Sequence, residues 1–473
     1  MKFRAANLLV HQKLAKASEV TCTGTNEYFG FGTPCDNECA KLSKQNQTNC
    51  PFVNVKRTEM CYCEEGYARD VNKTCIPFDK CPKNCDQDDE NNNEDNDNGV
   101  QKFTEGNVDF TESFIYVASQ LDPEVSAIYS PFSLLFLLAQ LALYASGTSL
   151  DELLSVLNIS KSSIRSTIPY YLTELNSQEN ATFSLAERIY ASIEFKLNPC
   201  FEKDTRDIFF AEAQNVNFSN PTEAADIINQ WVANKTNNLI TDLVPPDSLS
   251  RNTIVVLVNA IYFKGTWEKL FKTENTKKGD FYVNENKNVT VNMMNQIESF
   301  KYADIPSQGV QVIELPYVNS NFSYLVLLPK LKDGLSKVLE QLRNKTNSVL
   351  QDAISKLELN RVNLFLPTID TTTTTDLKDV LQKLNVSAIF DSSTANLNSI
   401  SDDPTIKPFV TSALQKATIT VNEFGSEAAA GTAIVVGVTS AQPAPSIEFN
   451  ADHPFVYFIL YKGTPIFGGI FAG

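Results

Sequence analysis

Nine of the ten cysteines in this 473-residue chain fall between Cys22 and Cys85, and the tenth is Cys200. That segregation imposes two folding regimes on one polypeptide. Residues 22–81 carry too little apolar side chain to close a hydrophobic core, so cross-links must hold that piece together. Thiols at such density belong to an oxidising compartment. Residues 86–99 (DQDDENNNEDNDNG) have nothing apolar to bury and repel themselves, which predicts an extended, mobile linker. An EF-hand reading of Glu94, Asn96, Asn98, Gly99 and Glu105 lacks the initial Asp and a leading helix, so calcium is not expected. The organisation expected is a leader segment at 1–21, a cysteine-rich domain at 22–85, the acidic linker at 86–100 and a large domain at 101–473.

Charge and composition narrow the function classes. Of the net −16, seven negative charges sit between Asp86 and Asp97, leaving −9 as a solubilising charge elsewhere. A nucleic-acid partner would be repelled. No run approaches ~18 apolar residues, so neither a membrane span nor a membrane partner is expected. The leader is a short apolar run at 5–10, broken by His11, Gln12 and Lys13, with Ala15-Lys-Ala17 as a candidate cleavage site. Asn46, Asn72, Asn158, Asn180, Asn234, Asn288, Asn321 and Asn344 open Asn-x-Ser/Thr acceptor triplets. Together with the cysteines these point to a secreted, extracellular glycoprotein.

Catalysis is not expected. A Ser-His-Asp hydrolase needs a base, and the chain has two histidines: His11 in the leader, and His453 between Asp452 and Pro454, where a structural role is expected. No Gly-x-Ser-x-Gly elbow occurs, and no His/Cys metal set stands outside the cysteine framework. The expectation is no enzyme, no cofactor and no metal.

From Phe110 the chain alternates helical and strand patterns. Residues 132–143 (FSLLFLLAQLAL) are apolar almost all round, as in a buried helix. Residues 254–263 (IVVLVNAIYF) are apolar on both faces, as in a central strand, where Asn259 needs partners. Near the C-terminus, 423–440 (EFGSEAAAGTAIVVGVTS) follows the β-branched run 417–421 and precedes 441–445 (AQPAP), whose prolines end any ladder. Its first part is nearly all Gly, Ala, Ser and Thr, small enough to enter a crowded sheet. Alternation puts Ser426, Ala428, Ala430, Thr432, Ile434 and Val436 on one face and the charge of Glu427 on the other. A strand therefore leads into a segment fit to become a strand, followed by an exposed loop.

Four stretches in order resemble the serpins, the loop-inserting serine protease inhibitors: 128–133 (IYSPFS) with 144–152 (YASGTSLDE), 258–267 (VNAIYFKGTW), 423–431 (EFGSEAAAG) and 449–459 (FNADHPFVYFI). The resemblance spans roughly 370 residues. It implies an α+β fold of three β-sheets surrounded by helices, with an exposed reactive-centre loop. The implied hinge is Glu423, Gly425, Ser426, Glu427, Ala428, Ala429, Ala430 and Gly431. Counting seventeen residues from Glu423 places the cleaved bond at Thr439-Ser440, with Val438 and Ala441 equally small. Small residues suit the shallow pocket of elastase-like or broad-specificity proteases. The implied polar cluster beneath the main sheet is Ser130, Ser133 and Asn259, with Gln415 replacing the usual histidine, so a cluster without titration is expected. At the top of the sheet, near Trp267, Thr368 stands where the family often has a lysine, which leaves Glu423 without its usual partner. The helix that binds heparin in some members corresponds to 160–166, with only Lys161 and Arg165, so no strong polyanion binding is expected. The expected partners are target serine proteases, held in a covalent acyl complex, and the expected state is a monomer. The competing reading is a non-inhibitory serpin acting as carrier or chaperone; the small hinge residues argue against it.

The front domain resembles the trypsin-inhibitor-like (TIL) cysteine-rich domain in eight cysteines and in Cys61-Tyr-Cys63-Glu-Glu-Gly-Tyr67. That resemblance implies bridges Cys22 to Cys61, Cys35 to Cys50, Cys39 to Cys81 and Cys63 to Cys75, which spacing alone does not establish. It also implies a reactive bond at Phe52-Val53. The long Cys50-to-Cys61 loop leaves inhibition and docking both open as roles. Cys85 and Cys200 either pair with each other or stay free.

Overall fold

The computed structural model describes residues 22–32, 35–39, 58–70, 72–81, 96–121, 125–178, 181–318, 321–343, 348–426 and 447–473. The chain divides into two units, Met1–Glu90 and Asn91–Gly473.

In the first unit, β1 (Glu27–Gly32) pairs antiparallel with β2 (Thr58–Cys63), and β3 (Tyr67–Arg69) with β4 (Cys75–Pro77). Bridges join Cys22 to Cys61, Cys39 to Cys81 and Cys63 to Cys75. Cys35 is also disulfide-bonded; Cys50, its expected partner, lies outside the described residues. Among the described residues few apolar side chains besides the cysteines are buried, Tyr62 and Ala68, and a partly buried guanidinium ties the segments together. Arg69 donates from Nε to Asp36 Oδ2 at 2.6 Å and from Nη2 to the Cys61 carbonyl at 2.7 Å, and pairs through Nη1 with Glu27. Asp36 also accepts from the Cys63 amide at 3.0 Å, so two ion pairs of one guanidinium on β3 tie β1, β2 and the segment carrying Asp36 together.

The second unit has helices α1 (Asn96–Ser119), α2 (Pro131–Tyr144), α3 (Gly147–Leu157), α4 (Lys161–Asn176), α5 (Pro199–Asp207), α6 (Pro221–Lys235), α7 (Leu335–Leu342), α8 (Val349–Ser355) and α9 (Leu377–Lys383). Its strands run β5 (Ala127–Tyr129), β6 (Ala181–Ser192), β7 (Glu212–Val216), β8 (Val255–Thr266), β9 (Lys277–Asn284), β10 (Lys287–Ile305), β11 (Val310–Pro316) and β12 (Phe322–Pro329). They continue with β13 (Glu358–Pro367), β14 (Ile369–Asp376), β15 (Val410–Asn422), β16 (Gly425–Ser426), β17 (Ile447–Asn450), β18 (Phe455–Tyr461) and β19 (Thr464–Phe471).

The main sheet has six strands in the order β14-β15-β16-β8-β6-β7. Beside it, β17-β13-β10-β11-β12-β18-β19-β5, with β9 on β10, form a nine-stranded sheet. Two of the three expected sheets thus share the 19-residue β10, whose middle pairs with β13 and whose end pairs with β11. Every residue of α2 is buried, as its all-round apolar pattern predicts; its N-cap Ser130 accepts from the Ser133 amide, and Pro131 opens the first turn. β8 is buried on both faces through Phe263.

The linker expectation needs correction at its end. α1 begins at Asn96, so residues 96–99 are helical rather than extended, and Asn96, Asn98, Gly99 and Glu105 of the EF-hand-like spacing fall on a helix, with Glu94 outside the described residues. Gly99 supplies the reason: a Cβ there would lie 2.8 Å from Thr167 Oγ1, so its bare backbone lets α1 lie flush on α4 and carries the helix back beyond its apolar residues. No helix among the described residues is long and apolar enough to cross a membrane.

A buried carboxylate joins α1 to α8. Glu112 accepts from the Leu350 amide at 2.7 Å and the Ser348 hydroxyl at 3.0 Å. Burial, with Asp109 adding repulsion, pushes its pKa up to about 7 against the pull of those bonds. Between the ordinary 4.5 and 7 the native state holds a proton that the unfolded chain releases, so this group's contribution to stability falls as pH rises through that window. Glu112→Gln should remove roughly 3 kcal/mol of that decline, read as a flatter thermal midpoint from pH 4.5 to 7 at fixed scan rate.

Candidate functional site

The seam of the main sheet lies between β8 and β15. They pair parallel, from Val410 opposite Val255 to Thr418 opposite Tyr262. Above that point β16 is wedged between them. After β15 ends, Glu423 and Phe424 turn the chain, and Gly425 and Ser426 run back antiparallel to both neighbours: Ser426 faces Val421 on one side and Gly265 on the other. Gly425 has φ +146°, and a Cβ there would collide with the Gly265 carbonyl oxygen, so only glycine fits.

Aromatic packing clamps this turn. Trp267 donates from Nε1 to the Asn422 carbonyl at 2.9 Å and from its amide to Phe424 at 3.0 Å. It stacks on Tyr317, with ring centroids 4.5 Å apart. Tyr317 in turn bonds the fully buried Ser426 hydroxyl at 2.7 Å. Glu423 accepts from Thr276 Oγ1 at 2.7 Å, so a neutral hydroxyl fills the place the sequence left empty. Thr368 gives its amide to the Asn292 carbonyl. The other hinge residues, Glu427, Ala428, Ala429, Ala430 and Gly431, and the bond Thr439-Ser440, lie outside the described residues, as do Phe52 and Val53.

Below, the structure brings Ser130, Ser133, Asn259 and Gln415 into one network, each fully buried. Gln415 Nε2 donates to the Ser130 carbonyl and to Asn259 Oδ1, both at 2.9 Å, while its Oε1 accepts from the Ser130 amide. The Ser133 hydroxyl donates to the same Asn259 oxygen at 2.9 Å. An amide thus uses two donors and one acceptor, more than one imidazole offers. The Asn259 Nδ2 group faces the other way and donates to Glu187 Oε1 on β6 at 3.0 Å. Glu187 is buried, and burial raises its pKa well above the usual carboxylate range, against the opposing Asn259 bond. The expectation of a cluster without titration is therefore corrected: the carboxyl came from a neighbouring strand.

Sequence reasoning missed Glu187, Tyr317 and Thr276. For Glu187 a signal existed, because Glu187 and Arg188 form a charged pair inside the strand-patterned run 186–192, which is buried throughout. The remaining expected positions are occupied. His453 is held in the packing, with Nδ1 2.8 Å from Asp452 Oδ1 and Nε2 2.6 Å from the Pro329 carbonyl. Arg165 is engaged by the buried Asp204 at 2.7 Å, and Lys161 reaches the Ala145 carbonyl at 3.4 Å. Cys200 is disulfide-bonded, which removes the free-thiol alternative.

Known proteins share this architecture. The antichymotrypsin-2 of Bombyx mori is 38% identical over 367 residues, 77% of this chain and 96% of that protein. The antitrypsin of Bombyx mori is 38% identical over 368 residues, 77% of this chain and 93% of that protein. The crystal structure of Serpin48 from the insect Tenebrio molitor matches with a TM-score of 0.72 at 29% identity, over 79% of this chain and 98% of that one. The family model described as serpin (serine protease inhibitor) matches residues 105–472, and on that match and those relatives this chain belongs to the serpin family.

Proposed function

We propose that this chain is a secreted suicide-substrate inhibitor of serine proteases of elastase-like or broad specificity, cleaved at Thr439-Ser440. The observation that carries the reading is the docking of Gly425 and Ser426 antiparallel to both β8 and β15. These two residues form the first rung of a strand the seam can accept.

Continuing their register gives each later residue a place. Ala428 would face Ile419 and Phe263, Ala430 would face Ala417 and Ile261, and Thr432 would come between Gln415 and Asn259. The small residues meet buried apolar neighbours, and the one hydroxyl on that face after Ser426 meets the polar cluster. Glu427 falls on the opposite face, where its charge need not be buried.

The chemistry belongs to the target. Its serine attacks the Thr439 carbonyl, the bond to Ser440 breaks, and an acyl-enzyme forms. The freed segment then enters the seam before water releases the ester. Fourteen residues from Ser426 to Thr439, at ~3.3 Å each, carry the attached protease roughly 46 Å. A native state above its most stable form supplies the energy, so its stability is kinetic. The engagement of Arg165 by Asp204 supports a role without polyanion activation. The front unit, held by its own bridges, acts as a second inhibitory or docking module.

Incubation with elastase is expected to give an SDS-stable complex; cleavage without complex would sink the reading. Ala428→Glu should turn inhibitor into substrate, cutting the complex formed per cleavage at least about tenfold, since even ~1.4 kcal/mol on the insertion barrier does so and a charge buried beside Ile419 and Phe263 costs more. The same variant of the full chain isolates the front unit: inhibition that survives it and disappears with Phe52→Asp would assign that activity to Phe52-Val53.

A further inference from the structure

Glu187 has no part in protease attack or loop cleavage, yet it accepts the hydrogen bond from the second face of the Asn259 amide. It pairs across β6 and β8 directly opposite Asn259, and Asn259 pairs directly opposite Gln415 across the seam. One amide therefore links the two sides. Gln415 and Ser133 both donate to Asn259 Oδ1, which obliges Nδ2 to point at Glu187. We propose that Glu187 is a positioning residue for loop insertion: its carboxyl accepts from Asn259 Nδ2 and fixes that amide in the orientation that clasps Gln415, from a buried place that opens to water when β8 and β15 part.

The inference rests on the insertion reading above. Glu187 also lines a cavity of about 100 Å³ with Leu172, Leu175, Phe183, Trp231 and Lys235, which gives protons a route to it. Among the described residues the neighbouring groups place one cation near it, Lys235, and no ion pair. From β8 it meets neutral Asn259; α4 brings Leu172, Leu175 and neutral Asn176; β7 brings Glu212, which Arg188 engages; and α6 brings Lys235 to the cavity wall. Among the described residues none forms an ion pair with Glu187. The closed sheet thus favours the neutral acid, in line with its raised pKa. Once β8 and β15 part, water reaches the cluster and the proton is released. The closed state binds more protons than the open one, so opening becomes easier as pH rises.

The test uses the full-length protein and a labelled synthetic peptide of residues 426–439, whose uptake into the seam is followed on native gels from pH 5.5 to 8.5. Uptake by the natural protein should accelerate with pH, roughly tenfold for each unit by which the closed and open states differ. Glu187→Gln keeps the oxygen that accepts from Asn259 but does not ionise, so its rate should be flat. Glu112 titrates in both proteins and does not account for a difference between them. Equal pH profiles for the two proteins, or a flat profile for the natural one, would overturn the inference. Should Glu187→Gln fail to fold, Glu187→Asp keeps the ionising group and must keep the pH dependence. No uptake by any form at any pH would instead overturn the insertion reading itself, and this inference with it.

Discussion

The parallel pairing of β8 with β15 is the contact on which the rest of the structure depends. Both strands are otherwise flanked by antiparallel partners, β6 on one side and β14 on the other. A parallel ladder is slightly weaker per residue than an antiparallel one. A strand entering the seam in the direction of β16 would exchange that single parallel ladder for two antiparallel ones. On the insertion reading proposed above, the native sheet is not at its best arrangement, because an antiparallel strand could still enter this seam.

Much of this was legible in the chain. The all-round apolar stretch became α2, the two-faced apolar run became β8, and three of the bridges the TIL resemblance implies are present among the described residues. These features are local, or repeat at fixed spacing, so periodicity and motif carry them. What was not legible depends on which strand lies beside which. Alternation assigns Glu187 a face, but nothing within 181–192 says that Asn259 stands opposite. Thr276 and Tyr317 reach the hinge across 147 and 109 residues of sequence. Composition likewise marks 86–99 as unable to fold alone, but the docking of α1 on α4 at Gly99 extends the helix into its end.

The hinge shows how backbone and side chains divide the work. Trp267 holds the turn through the carbonyls of Asn422 and Phe424, bonds that any residues there could make. Identity enters at Gly425, where a Cβ meets the Gly265 carbonyl, and at Ser426, whose hydroxyl satisfies the buried Tyr317. Larger residues at either position would displace this rung from between β8 and β15.

The polar cluster bears on rate more than on final stability. Each hydrogen bond of a buried network contributes on the order of 1 kcal/mol net, but leaving its partners unpaired costs ~1–3 kcal/mol for each group. Parting β8 from β15 at Gln415 and Asn259 strips donors and acceptors at once, before any incoming residue replaces them. In the proposed insertion Thr432 would arrive seventh in the strand that begins at Ser426 and offer a hydroxyl to both sides, so the loss would be transient. A group lost on opening and recovered on insertion raises the barrier and leaves the end states nearly level. In the proposed insertion the driving force would lie in the exchanged ladders, while the cluster would govern how long the uninserted form persists.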